Sequence, residues 1–173
     1  MSYCEECGSE LVERYLENEG IIPYCNKCRE YRFPKYNVAV SIITVDDKEK
    51  KILLIKQYGR DSYILVAGYV NKGESAENAV KRELMEETGL SAGEIRYNRS
   101  EYFERSNTLM LNFTCHITGS NEYKLNREVD EAEWFSFKEA RENIRPESLA
   151  QRFLNFYLDN QSEINKTRIK REP

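Results

Sequence analysis

The sequence predicts an α/β domain with a small hairpin module ahead of it. Three observations carry that expectation. Two Cys-x-x-Cys pairs stand near the N-terminus, Cys4/Cys7 and Cys25/Cys28. Apolar, β-branched runs of strand length recur from residue 37 to residue 137. Among them lies one helix-length segment, GYVNKGESAENAVKRELMEETGL at 68–90, in which glycines frame a dense set of acids. The 173 residues give room for one domain with a sizeable core plus an appendage. We read 1–33 as the hairpin module, 34–160 as the main domain and 161–173 as a basic tail.

In the module, seventeen residues separate the cysteine pairs, enough for a β-hairpin turning near Glu17–Gly20. Gly8 follows Cys7 directly, as a knuckle turn requires. Four thiolates on two knuckles suit tetrahedral Zn²⁺ at Cys4, Cys7, Cys25 and Cys28, and iron fits the same cage. A segment of about 30 residues cannot build a core, so the metal would supply its folding energy and the site is structural. Disulfides are the rival reading, disfavoured by the lack of a secretory signal.

Pro34 marks the junction. Asn37–Val45 then reads as a strand buried on both faces, followed by a charged turn at Asp46–Lys50. Ile52–Gln57 and Tyr63–Ala67 read as two further strands, the second running directly into a Gly68 loop. A helix from about Ser75 to Thr88 follows. Ile95–Phe103 and Leu109–Ile117 read as antiparallel strands, and strict alternation from Leu109 marks one buried face with Cys115 in it. His116, the sole histidine, is read as a surface residue and Trp134 as core. Glu133–Phe137 is the last expected strand, and Pro146 opens a final helix with Leu149, Phe153, Phe156 and Tyr157 at helical spacing.

The acids of the first helix fall in an odd place. With Val80 set at zero, Ala76, Ala79 and Leu84 lie at about −40°, −100° and +40°. Glu83 and Glu87 lie inside that apolar stripe, at about −60° and −20°, and Glu86 sits at its edge at about −120°. A surface helix puts its acids opposite the stripe. Carboxylates clustered on an inward face repel and lose hydration, so they need cations, from Arg82 and from a divalent metal.

Gly68, Glu74, Arg82, Glu83, Leu84, Glu86, Glu87, Gly89 and Leu90 fill every fixed position of the Nudix box, and the chain resembles that family. The resemblance implies an α/β/α sandwich with a mixed sheet. A Cys-x-x-Cys ribbon ahead of such a domain is similar to the NADH pyrophosphatase (NAD diphosphatase) branch. Cys25–Pro34 (CNKCREYRFP), Leu65–Glu74 (LVAGYVNKGE), Glu128–Phe135 (EVDEAEWF) and Pro146–Ala150 (PESLA) resemble its segments, with Val66 an extra residue ahead of Ala67 and Asn71 in place of an acid. One departure stands out. The branch's Ser-Gln-Pro-Trp-Pro-Phe-Pro-x-Ser-Leu-Met array, taken as its mark of NAD(H) preference, falls on Ser100–Met110, where all three prolines are absent.

The resemblance implies hydrolysis of a nucleoside diphosphate linked to another moiety, by water attack on phosphorus. It assigns Mg²⁺ or Mn²⁺ to Glu83, Glu86, Glu87, Glu128 and the Ala67 carbonyl. Arg82 orients a box carboxylate and Glu74 anchors the loop. The general base is Glu87 or Glu128. For base and sugar it points to Phe33, Tyr69, Glu101, Thr108, Met110 and Ala150, with Phe33 and Tyr69 equally readable as core aromatics and Lys56, Arg60 and Arg105 as phosphate contacts or simply solvated charges. NAD(H), ADP-ribose, FAD or a capped RNA 5′ end are the open substrates, and a homodimer is expected by analogy. A non-catalytic ligand sensor is the other reading, whose mark would be a damaged box.

Composition sets the outer limits. Hydrophobic residues make up 40% and charged residues 32%, which fits a soluble globular protein. No apolar run approaches a membrane span and the N-terminus shows no signal pattern, so a cytoplasmic location without a membrane partner is expected. The net charge of −4 argues against a surface that coats nucleic acid. Lys166, Arg168, Lys170 and Arg171 give the tail a local basic patch, read as a frayed terminus.

Overall fold

The computed structural model describes residues 2–160, so the expected basic tail at 161–173 lies outside the described residues. The chain divides into two compact units, Met1–Tyr36 and Asn37–Pro173. In the first, β1 (Val12–Leu16), β2 (Gly20–Cys25) and β3 (Glu30–Tyr31) form an antiparallel sheet in that order. The β1–β2 turn falls where the spacing put it, with Asn18 and Gly20 at positive φ. The third strand was not foreseen: two residues are too short for a sequence pattern, and it exists because Tyr24 and Cys25 pair with Tyr31 and Glu30.

The second unit is a six-stranded mixed sheet between helical layers. Its strands are β4 (Asn37–Asp46), β5 (Lys51–Gln57), β6 (Val66–Tyr69), β7 (Ser91–Phe103), β8 (Thr108–Thr118) and β9 (Val129–Ser136). The order is β7-β8-β4-β5-β9, with β6 pairing the N-terminal half of β4. Only β4–β8 is parallel, and α1 (Ala76–Thr88) lies in the connection between them. α2 (Phe137–Asn143) and α3 (Leu149–Asp159) cover the other face.

Alternation along the central strands feeds two cores. Val40, Ile42, Leu53, Ile55 and Val66 pack with Ala79, Val80 and Leu84 of α1. Ile43, Val45, Ile52 and Leu54 pack with Phe153, Leu154 and Tyr157 of α3. Fully burying each such side chain contributes about 1.5–3 kcal/mol. An aspartate at Val80, which is fully buried, would therefore detach α1 and the site it carries. Cys115 is buried in the α1-side core, and burial pushes its thiol up to about 11.

The structure corrects four expectations. Gly68 does not begin a loop: β6 runs through it to Tyr69 because Ala67, Gly68 and Tyr69 pair with Ser41, Val40 and Ala39. The second face of β8 is also buried, since Asn112 and Thr114 satisfy each other through Asn98 and Ser41. His116 is only partly exposed, with Nδ1 3.0 Å from Asp47 Oδ1. Pro146 stands in the turn ahead of α3, whose cap is Ser148; its hydroxyl accepts from Gln151 N at 3.0 Å. α2 went unread, although Ser136-x-x-Glu139 is a capping box with both reciprocal hydrogen bonds made.

Candidate active site

Both ends of α1 are fixed by local chemistry. Ser75 Oγ accepts from Asn78 N at 3.2 Å, and Gly89 takes φ 71° with its N–H on Met85 O. A fixed register puts Glu83 and Glu87 one turn apart on the face toward β6. Against Glu83 stands Gly68: a Cβ there would lie 1.9 Å from the Glu83 Cδ. The glycine is thus required by a carboxylate, not by a turn.

Arg82 ties the acids together. It grips Glu74 with Nε and Nη2, both at 2.9 Å, and donates from Nη1 to Glu83 at 2.7 Å and Glu86 at 3.2 Å. Its Nη2 also reaches the Tyr69 carbonyl at 2.9 Å, which anchors the end of β6. The Arg82 hydrogen bonds pull the Glu74 carboxyl down to about 2, so it stays ionised at any working pH. Glu74 also accepts from Asn71 N at 3.0 Å, holding the loop before α1.

Glu87 is the anomaly. It is 3% exposed, and Gln57 Nε2 donates to its Oε1 at 2.8 Å. Its Oε2 is buried without any partner. Burial, with the charges of Glu83, Glu128 and Glu86, pushes its carboxyl up to about 7. Glu83 is pushed up as well, chiefly by burial. The loop before β9 supplies Glu128. Lys124 N and Asn126 N bond the last carbonyls of α1, at Thr88 and Glu87, and Asn126 Oδ1 then accepts from Glu128 N and Val129 N. Glu128 is exposed, with Tyr58 Oη 3.4 Å from its Oε2. Glu83, Glu86 and Glu128 are near enough to raise Glu87, and this donor set suits a divalent cation, although among the described residues only the four cysteines bring their ligand atoms within 4.8 Å of one another.

Of the residues expected to contact substrate, Tyr69, Glu101, Met110 and Ala150 lie on the opposite, α3 side of the sheet. Tyr69, Ala39, Met110 and Glu101 occupy one cross-strand row over β6, β4, β8 and β7. Ala67, Ser41, Asn112 and Arg99 form the next row. Met110 and Ala150 pack against the α3-side core, and Arg152 of α3 pairs with Glu101. Thr108 is buried, its hydroxyl spent on Ser106. Phe33 is half exposed in the first unit. Lys56 is occupied by Asp61 and Glu131.

In the first unit the four cysteine sulfurs lie within 4.8 Å of one another, with Cys4–Cys28 at 3.9 Å and Cys7–Cys25 at 3.5 Å. Sulfurs about 2.3 Å from a tetrahedral ion stand about 3.8 Å apart, so the cage fits zinc. Gly8 and Arg29, each following the second cysteine of a pair, share the same left-handed turn at φ 69° and 61°. Arg32 donates to Cys4 Sγ from Nε and Nη2 at 3.3 Å, setting a cation against the thiolates.

Sequence reasoning missed Gln57, Tyr58 and Asn126. Gln57 did leave a signal: it follows Leu53 and Ile55 at inward alternation, where a polar group needs a partner. Asn126 and Tyr58 left none, because their roles depend on loops meeting in space.

The NUDIX domain model matches residues 35–155, and the chain belongs to that family. The solved structures it resembles include a NUDIX hydrolase from Nitrosomonas europaea, at TM-score 0.70 and 22% identity, over 94% of this chain and 93% of that one. A MutT/nudix family protein from Enterococcus faecalis matches at TM-score 0.60 and 21% identity, over 78% and 64%. Curated relatives include NAD-capped RNA hydrolases NudC. That of Vibrio parahaemolyticus is 29% identical over 80% of this chain and 52% of its own length. That of Pectobacterium atrosepticum is 28% identical over 88% and 57%. The chain thus spans about half the length of the curated relatives it matches. Among the described residues, no helix is long and apolar enough to cross a membrane.

Proposed function

We propose that the chain is a pyrophosphohydrolase that splits the diphosphate of a nucleoside diphosphate joined to a second moiety and releases a mononucleotide. The observation that carries this is the buried, partnerless Glu87 oxygen amid Glu83, Glu86 and Glu128. Mg²⁺ or Mn²⁺, held by Glu83, Glu86, Glu87, Glu128 and the Ala67 carbonyl, would neutralise the phosphates and acidify a water. Arg82 holds the Glu83 and Glu86 carboxylates in place, and Gly68 leaves room for that of Glu83. Gln57 takes one Glu87 oxygen, which aims the other into the cluster. Glu128 is the better general base, because its carboxylate is exposed on its loop while Gln57 holds one Glu87 oxygen and the other is buried. The water oxygen bonds to phosphorus, the bridging P–O bond breaks, and Glu128 takes the proton.

The row of Tyr69, Met110 and Glu101, with Ala150 beside it, supports a nucleoside lying on the α3 face of the sheet. Phe33 and Thr108 remain proposed contacts on resemblance alone. The NudC names favour an NAD-like conjugate and, as a second reading, an NAD-capped RNA 5′ end. The intact box speaks against a mere sensor. The cysteine cage is proposed as a structural zinc site, and a homodimer is carried over from the resemblance.

A panel of NADH, NAD⁺, ADP-ribose, FAD and NAD-capped RNA with Mg²⁺ and Mn²⁺, read as mononucleotide release, tests the reading. Without the prolines of the related array, Glu101–Thr108 should grip nicotinamide weakly. We expect kcat/KM for NADH to exceed that for ADP-ribose or FAD by less than about tenfold. Release from none of the panel would overturn the hydrolase, and a hundredfold preference for NADH would overturn the breadth.

A further inference from the structure

The β5–β6 loop, the β7–β8 turn and the segment before α3 surround a cleft of about 670 Å³, lined by Arg60, Asp61, Ser62, Phe103, Arg105 and Arg145. A recess of about 80 Å³ shares Arg60, Ser62 and Arg145 with it and reaches Gln57 and Tyr58. These last two are the residues that donate to Glu87 and Glu128, so the recess lies between the carboxylate cluster and the cleft. The charges along it are uncompensated. Arg82, Arg96, Arg99, Arg141 and Arg152 each hold a carboxylate within 4.0 Å. Arg60, Arg105 and Arg145 hold none among the described residues; Arg14, Arg29 and Arg127 hold none either, but only the first three share one cleft. The one acid in the cleft, Asp61, is engaged by Lys56 Nζ at 3.0 Å. In a chain of net charge −4, three unneutralised guanidinium groups on one cleft are an anion site in waiting.

We propose that this cleft binds a substrate phosphate additional to the scissile pair, so that the preferred substrates are nucleoside diphosphate conjugates carrying a third phosphate. The inference rests on the hydrolase reading and names its substrate class. The scissile phosphates belong beside the carboxylate cluster and its cation. A group placed in the cleft meets three arginines, Ser62 and Phe103, with Asp61 the one acid beside them. Guanidinium forks match phosphate oxygens two at a time. Phe103, half-buried, adds an apolar wall that suits a phosphorylated nucleoside better than a bare ion.

Direct binding to the full chain with Mg²⁺, by titration calorimetry at low salt, tests this without needing turnover. The probes are 5′-AMP, adenosine 2′,5′-bisphosphate and adenosine 3′,5′-bisphosphate. One bisphosphate should bind at least about tenfold more tightly than 5′-AMP, and the advantage should shrink with salt. A 2′ preference marks a phosphorylated dinucleotide and a 3′ preference a chain-extended nucleotide; either supports the site. In the double variant Arg105→Gln, Arg145→Gln the advantage should fall below about threefold. The Arg145 backbone N–H still bonds Tyr63 O in that variant, and 5′-AMP binding reports that the rest of the site is intact. Equal binding of all three probes by the parent protein would overturn the inference. So would a bisphosphate advantage that survives the double substitution. Absence of hydrolysis in the panel above would sink the hydrolase reading while leaving this measurement readable.

Discussion

The cysteine cage and the carboxylate cluster are both proposed as sets of four like ligands, yet they are built to opposite ends. In the cage all four sulfurs converge, the knuckle backbones are closed by Gly8 N to Cys4 O and Arg29 N to Cys25 O, and Arg32 supplies counter-charge. In the cluster, Glu86 and part of Glu83 are quieted by Arg82, Glu87 keeps one oxygen bare, and Glu128 stands in solvent. A closed set stores folding energy, whereas an open set stores reactivity at a cost in stability. The difference lies in the counter-charges and in how fully each set closes, more than in the ligand count.

The sharpest way to break that contrast is Glu87→Gln. It keeps the shape and removes the bare charge, so turnover should fall at least about 10²-fold under saturating Mg²⁺. Stability should move the other way. The folded value near 7 lies above the unfolded carboxylate range near 4.3, so folding takes up a proton between the two. Metal-free protein therefore loses stability as pH rises from about 4.3 to about 7, then levels off. Removing the charge should stabilise metal-free protein by about 2–4 kcal/mol at pH 8, with no gain at pH 4. Denaturant melts at both pH values read this; a variant less stable at pH 8 would contradict the account of Glu87.

Gly68→Ala should come next. The nearest atoms the new Cβ meets are those of the Glu83 carboxylate, the end of a side chain that can swing away, so melting should change by less than about 1 kcal/mol. The displaced carboxylate should lower kcat about 10²-fold, and a variant with parental kcat would show that Glu83 position is unimportant.

Cys25→Ser tests the closed set. Zinc content should drop from about one per chain, and amide exchange should quicken across 1–36 while the sheet unit keeps its protection. Equal loosening of both units, or cysteine disulfides in fresh protein, would refute a self-contained structural site.

Arg82→Lys should have the mildest effect. One ammonium cannot reproduce the grip on Glu74 together with the bonds to Glu83, Glu86 and Tyr69 O. A fall of about tenfold in kcat/KM is expected, with kcat affected more than KM. A change confined to KM would mean that Arg82 binds substrate directly.

Much was legible in advance because it is local. The β-branched runs, the Ser75 cap, the Gly89 stop and the box spacing each act over a few residues, and spacing alone put Glu83 and Glu87 on an inward face. The cysteine knuckles were equally readable, although Arg29 adopts the turn without the glycine that signalled its counterpart at Gly8.

What only the tertiary structure decided is which groups meet. β6 extends past Gly68 because β4 lies beside it. Gln57 becomes a partner of Glu87 because β5 ends under α1, across 30 residues of sequence. Glu128 arrives because a loop borrows the last carbonyls of α1. Arg60, Arg105 and Arg145 come from three separate connections and share one cleft. Charge and hydrogen bonding depend on distance in space, and sequence spacing controls that distance only within an element.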